Sequence, residues 1–204
     1  TGDATICRGG SATLQFAGTG TYPLTVGYTT GAGGPATLIL PGPQPVNLPV
    51  SPTATTTYTL VSVTDGTLPA CTRTLGGSVT VTVNTPVTAG TAAAPVEFCA
   101  GTTQTVQLAN LLTGADPGGL WTETSAQPSS PGAFQATAGT FQTNGQPAGT
   151  YTFRYSVQAA APCPGQSSTV TVILHALPTA DAGPDQTITC SQPTVTLGGP
   201  GTGA

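Results

Sequence analysis

The sequence predicts an all-β chain with two complete sandwich domains in tandem and the opening of a third. Three observations carry this reading. A cysteine spacing occurs twice, apolar residues alternate with period two, and Gly and Pro cluster in the gaps between the alternating runs.

The cysteines set the frame. Cys7 and Cys71 lie 64 positions apart, and so do Cys99 and Cys163; the second pair follows the first by 92, and Cys190 follows Cys99 by 91. "TICRGGSATLQF" at Thr5–Phe16 answers to "EFCAGTTQTVQL" at Glu97–Leu108 and to "TITCSQPTVTLGG" at Thr187–Gly199. A period of this length marks a tandem array of small domains. The expected boundaries are 1–86, 87–178, and a linker with two opening strands over 179–204.

Each element of the first repeat can be argued from its residues. Ala4–Cys7 is a short strand, followed by a Gly9-Gly10 turn. In Ser11–Ala17, Ala12, Leu14 and Phe16 alternate with Thr13 and Gln15, the pattern of a half-buried strand. Turns rich in Gly and Pro lead to strands at Leu24–Thr29 and Ala36–Leu40. Pro41, Pro43 and Pro45 demand a loop or an edge, because proline cannot donate to a central ladder. Val46–Val50, Thr56–Thr64 and Ser78–Asn84 complete the set, with Cys71 on the last connection.

The second repeat keeps the plan and changes the loops. Strands are expected at Val96–Cys99, Thr103–Leu108, Leu120–Thr124, Ala133–Ala136, Gly139–Thr143, Thr150–Val157 and Ser168–His175, with a helical turn at Ala109–Leu112. The third opening predicts strands at Thr187–Cys190 and Thr194–Gly198. Seven or so short strands per repeat fit an immunoglobulin-like sandwich. Trp121 and Tyr28 fall where a core aromatic of the third strand is expected. Tyr58 and Tyr151 open the penultimate strand, where a tyrosine hydroxyl ties back to backbone.

The spacing predicts two structural disulfides, Cys7–Cys71 and Cys99–Cys163. Cys190 is left unpaired or bridges to another unit. With no CxxC and one histidine, the cysteines read as bridges rather than metal ligands. Closing a 64-residue loop stabilises a domain by about 4 kcal/mol in the chain-entropy model. Disulfides imply an oxidising, extracellular location. No apolar stretch is long enough to span a bilayer, and no signal peptide is present.

Composition excludes several classes of function. Three arginines against seven acids, with no lysine, cannot neutralise a run of phosphates, so nucleic acid is not an expected partner. Catalysis needs titrating or attacking groups held together. His175 stands alone, and Glu97 and Glu123 sit on different strands without a supporting motif. No GxSxG, P-loop lysine or HExxH occurs, so no enzyme is expected. No cofactor is expected either, with Ca²⁺ at Asp181 and Asp185 as the one candidate, since hard cations take carboxylate oxygens. The first junction, Val87–Ala93, has no acid. An exposed aromatic platform for a host or surface glycan is limited to Tyr22 beside Pro23.

At this point the phrases carry a resemblance. "DAGPDQTITCSQPTVTLGG", "CAGTTQTVQLANLLTGADPGGLWTETS", "AGTYTFRYSV…APCPG" and "ICRGGSATLQFAGTGTYPLTVGYTTG" resemble the immunoglobulin-like and PKD-like repeats of very large Bacteroidota surface proteins. These include gliding-motility adhesins of the SprB type and other cargo of the type IX secretion route. The WDFGDG signature of PKD domains is missing. The resemblance implies a cell-surface stalk, adhesin or filament, with neighbouring repeats or identical subunits as partners. The alternatives are a ligand-binding adhesin, using loops such as Thr29–Pro35 or Thr113–Gly119, and an accessory domain of a secreted hydrolase. A further expectation is that the tail after Asp185 either continues into a third domain or adds strands to a neighbour.

Overall fold

The computed structural model describes residues 2–31, 33–179 and 190–191. Asp181, Asp185 and the strands expected over 187–190 and 194–198 lie outside the described residues, except for Cys190. Strands dominate the described residues, and the fold is of the immunoglobulin-like sandwich class. Two compact units form. Unit 1 comprises Thr1–Gly90, Gly114–Gly119 and Ser156–Ser167, and unit 2 comprises Thr91–Thr113, Leu120–Tyr155 and Ser168–Ala204. Two loop segments that the repeat spacing places within 87–178 therefore belong to unit 1.

Unit 1 holds β1 (Ala4–Cys7), β2 (Ala12–Phe16), β3 (Leu24–Thr30), β4 (Pro35–Leu40), β5 (Val46–Val50), β6 (Thr56–Thr64), β7 (Thr72–Thr74) and β8 (Ser78–Asn84). One sheet runs β1-β8-β6-β3-β4, with β7 paired to β6; the other is β2-β5. Pairing is antiparallel except for β1, which lies parallel to β8 with Cys7 opposite Asn84. Alternation decides which side chains face inward: Leu24, Val26 and Tyr28 of β3 are all buried, and the residues between them are not. Ile6, Leu14, Tyr28, Tyr58 and Val81 form the centre of the core, drawing on both sheets. The sequence missed β7, whose three residues are all exposed and carry no apolar alternation.

Unit 2 opens with β9 (Thr91–Ala92), inside the expected linker, followed by β10 (Val96–Cys99) and β11 (Thr105–Gln107). A 3-10 turn spans Leu108–Leu111 where a helical turn is expected. Then come β12 (Leu112–Thr113), β13 (Leu120–Glu123), β14 (Phe134–Gln135), β15 (Thr140–Gln142), β16 (Gly149–Val157) and β17 (Gln166–His175). The sheets are β10-β17-β16-β13, β11-β15-β14 and β12-β9. β10 lies parallel to the last strand, β17, with Cys99 opposite His175. Tyr151, Phe153 and Tyr155 of β16 and Val170, Val172 and Leu174 of β17 are buried. Phe153 stacks on Phe134 and Phe141 at 5.1 and 4.9 Å, Tyr151 lies 4.9 Å from Phe141, and Trp121 lies 4.9 Å from Tyr155. The Tyr151 hydroxyl donates to the Pro147 carbonyl at 2.9 Å. Burial, with the nearby Glu123 charge, raises the pKa of Tyr151 above the usual phenol range.

Candidate functional site

The feature with chemical content is the cysteine staple of unit 1. Its first half is the end of β1. The turn after Cys7 needs Gly9 at φ 87°, a conformation that L side chains rarely adopt, and it closes with the Gly10 amide donating to the Cys7 carbonyl at 2.8 Å. The Arg8 amide donates to the Asn84 carbonyl at 2.9 Å, which extends the β1–β8 pairing by one bond. The second half is the loop Ser156–Ser167. There the Asn84 side-chain amide donates to the Ala161 carbonyl at 2.6 Å, and the Cys163 amide donates to Ala160 at 3.0 Å. Cys7 and Cys163 are joined by a disulfide with Cα atoms 5.0 Å apart, across 156 positions of sequence. Cys163 is buried.

This corrects the expected pairs Cys7–Cys71 and Cys99–Cys163, because Cys71 and Cys99 are free and exposed, as is Cys190. The reason lies in the strand directions. Cys7 sits at the Asn84 end of β8, while Cys71 precedes Thr72, which pairs with Thr64 at the far end of β6. β6 and β8 are antiparallel with Thr56 opposite Val81, so the two sites lie at opposite ends of the sheet, on the order of 30 Å apart. A disulfide spans Cα atoms no more than about 7 Å apart. In the second repeat β17 runs from Gln166, just after Cys163, to His175, opposite Cys99. Equal spacing records the repeat, and it does not say which cysteines meet.

Cys71 is held by Asp65. One carboxylate oxygen of Asp65 accepts from the Thr67 hydroxyl at 2.6 Å, the Cys71 amide at 2.9 Å and the Thr67 amide at 3.2 Å. The Thr67 hydroxyl first, then the Cys71 amide, holds the Asp65 pKa below the ordinary carboxylate range.

Unit 1 also carries a cavity of about 640 Å³ that opens to solvent, lined in part by Leu14, Phe16, Tyr58, Leu60 and Leu75, with Asp65 and Arg73 among the polar lining. The loops Thr29–Pro35 and Thr113–Gly119, expected as binding loops, do not line it. Tyr22, expected as an exposed platform, is half-buried against the cluster of Leu24, Val26 and Leu40, and its hydroxyl donates to the Gly18 carbonyl. No sequence signal pointed to the cavity, because it depends on how far the two sheets close over each other.

His175 Nε2 and Glu97 Oε2 lie 2.9 Å apart with both side chains more than half exposed, an arrangement worth little in stability. Glu123 accepts from the Ser129 amide and hydroxyl, each at 2.8 Å, and from the Ser125 hydroxyl at 2.9 Å, so it fixes a loop. Among the described residues, no group of three or more His, Cys, Asp or Glu side chains is placed to hold a metal ion. No helix among them is long and apolar enough to cross a membrane.

No family model matches the chain, and no curated protein matches it. Among solved structures it is similar to extracellular domains 3–5 of Drosophila OTK, at 13% identity and a TM-score of 0.27, over 92% of this chain and 67% of that one.

Proposed function

We propose that the chain is a structural segment of an extracellular array, a stalk, adhesin or filament of a bacterial surface, and that it performs no reaction. One observation carries this reading. The Cys7–Cys163 bridge spans 156 positions, more than one whole repeat, so it ties the first strand of one repeat to a loop of the next. A bridge of this reach resists extension of the chain between its ends, which suits a load-bearing segment. Its oxidised state supports an extracellular location. Single-molecule stretching tests the reading. The oxidised chain is expected to keep the contour between Cys7 and Cys163 locked, and reductant is expected to release it. Equal contour gains with and without reductant would contradict it.

A ligand-binding adhesin module is the second reading, favoured by the cavity in unit 1. Its expected outcome is binding on a glycan array that is lost in Leu60→Phe, a substitution that narrows the cavity while Trp121 fluorescence is unchanged. No binding by the parent chain would remove it.

A further inference from the structure

We propose that the cavity of unit 1 binds a single-chain aliphatic carboxylate, a fatty-acid-like molecule, with its hydrocarbon chain against the apolar walls and its carboxylate on Arg73. The inference rests on the reading of that cavity as a ligand site, and it names the class of ligand.

Unit 1 leaves open what unit 2 fills. "TTYTLVSV" at Thr56–Val63 and "GTYTFRYSV" at Gly149–Val157 align Tyr58 with Tyr151 and Leu60 with Phe153. Phe153 is fully buried, with the rings of Phe134 and Phe141 at 5.1 and 4.9 Å. Leu60 is smaller and half-buried, and it lines the cavity of about 640 Å³. That volume falls in the range of small-ligand sites, about 300–1,000 Å³.

Strand pairing sets the walls. Tyr58 stands opposite Val79, and both line the cavity. Leu60 and Leu75 continue that wall, and Leu14 and Phe16, two positions apart on β2, face it from the other sheet. Further along β6, Val63 stands opposite Arg73, and both line the cavity as well. The apolar wall therefore ends at a guanidinium. Water against such walls is unfavourable in proportion to their apolar area, so a hydrocarbon chain replaces it favourably.

The charges select the head group. Asp65 and Arg73 are the acid and the base that line the cavity. Asp65 already has partners, since its Oδ1 accepts from the Thr67 hydroxyl, the Thr67 amide and the Cys71 amide. Arg73 is exposed, and among the described residues its guanidinium has no hydrogen-bond or ion-pair partner. The charge that lacks a counter-ion is the cation. A guanidinium presents two parallel N–H donors to a carboxylate, a geometry that an alcohol or an ammonium cannot use.

The test is calorimetric titration of the intact chain with decanoate below its micelle-forming concentration, with 1-decanol and decyltrimethylammonium as comparisons. Decanoate is expected to bind more tightly than either. Arg73→Gln is expected to weaken decanoate about tenfold and to leave 1-decanol and the far-UV circular dichroism unchanged. Asp65→Asn, which keeps the accepting oxygen and drops the charge, is expected to bind decanoate at least as tightly. Leu60→Phe is expected to abolish binding. Methyl carbon shifts of Leu60 and Leu75 during the titration locate the chain without any substitution. Equal affinity for 1-decanol, tighter binding of the ammonium, an Arg73→Gln affinity equal to the parent's, or unmoved Leu60 and Leu75 methyls would overturn the proposal. Glycan binding without decanoate binding would leave the adhesin reading standing and remove the carboxylate. Binding of neither would remove both.

Discussion

In unit 2, Phe153 is fully buried between Phe134 and Phe141, with Tyr151 against the same cluster and Trp121 on Tyr155. In unit 1 the ring contact among the described residues is Phe16 with Tyr28 at 5.7 Å, the interior leaves a cavity of about 640 Å³, and the bridge Cys7–Cys163 holds the end of β1. Both units share one arrangement, with β1 parallel to β8 in unit 1 and β10 parallel to β17 in unit 2. They hold that arrangement by different means. Unit 2 relies on packed rings, whose contact energy falls off within an ångström or so of separation. Unit 1 relies more on a covalent tie that restricts its unfolded chain.

The comparison breaks most visibly at the bridge. Reduction, or Cys163→Ala, removes a tie across 156 positions, worth up to about 5 kcal/mol in the chain-entropy model. Far-UV circular dichroism in guanidinium should show unit 1 melting earlier. Fluorescence of Trp121, the single tryptophan, should shift less, because that ring lies in unit 2. Equal shifts in both signals would erase the distinction.

The converse substitution is Phe153→Ala. It deletes a fully buried ring and should cost about 3–5 kcal/mol, read as an earlier Trp121 transition. Gly139→Ala should cost about 2 kcal/mol in the same signal. Gly139 has φ 62°, and a Cβ there would stand 2.8 Å from Trp121 Nε1. Tyr151→Phe removes the hydrogen bond to Pro147 at 2.9 Å and should cost about 1 kcal/mol.

How much of this was legible depends on the length of each signal. β16 and β17 announce themselves because most of their residues alternate between a buried and a wetter face, and β6 and β8 because they are long runs rich in Thr and Val. β7 and β9 do not, since two or three exposed residues such as Thr91–Ala92 carry no periodicity and owe their state to a partner strand. Tyr28 and Trp121 could be placed in the core from their distance to the preceding cysteine, because strand and turn lengths are shared between repeats. The partner of Cys7 could not. Spacing of 64 within a repeat and 92 between repeats is satisfied equally by pairing inside a repeat and by pairing across repeats. Strand direction decides between them, and that is a property of the folded sheet.

The smallest expected effect concerns the loop of Cys71. Hydrogen bonds hold the Asp65 pKa below its ordinary value, so the stabilisation is complete above the ordinary carboxylate range and is lost as pH falls through the lowered pKa. Amide shifts of Thr67 and Cys71 should therefore titrate together, with a midpoint below that of an unperturbed aspartate. An ordinary midpoint would mean that the loop is not anchored there.

Proteolysis of the native chain without reductant, followed by mass mapping of the linked peptides, tests the central claim most directly. The account predicts a single linkage between the peptides of Cys7 and Cys163, with alkylatable thiols at Cys71 and Cys99. Linkages Cys7–Cys71 and Cys99–Cys163 would contradict it, returning each bridge to its own repeat.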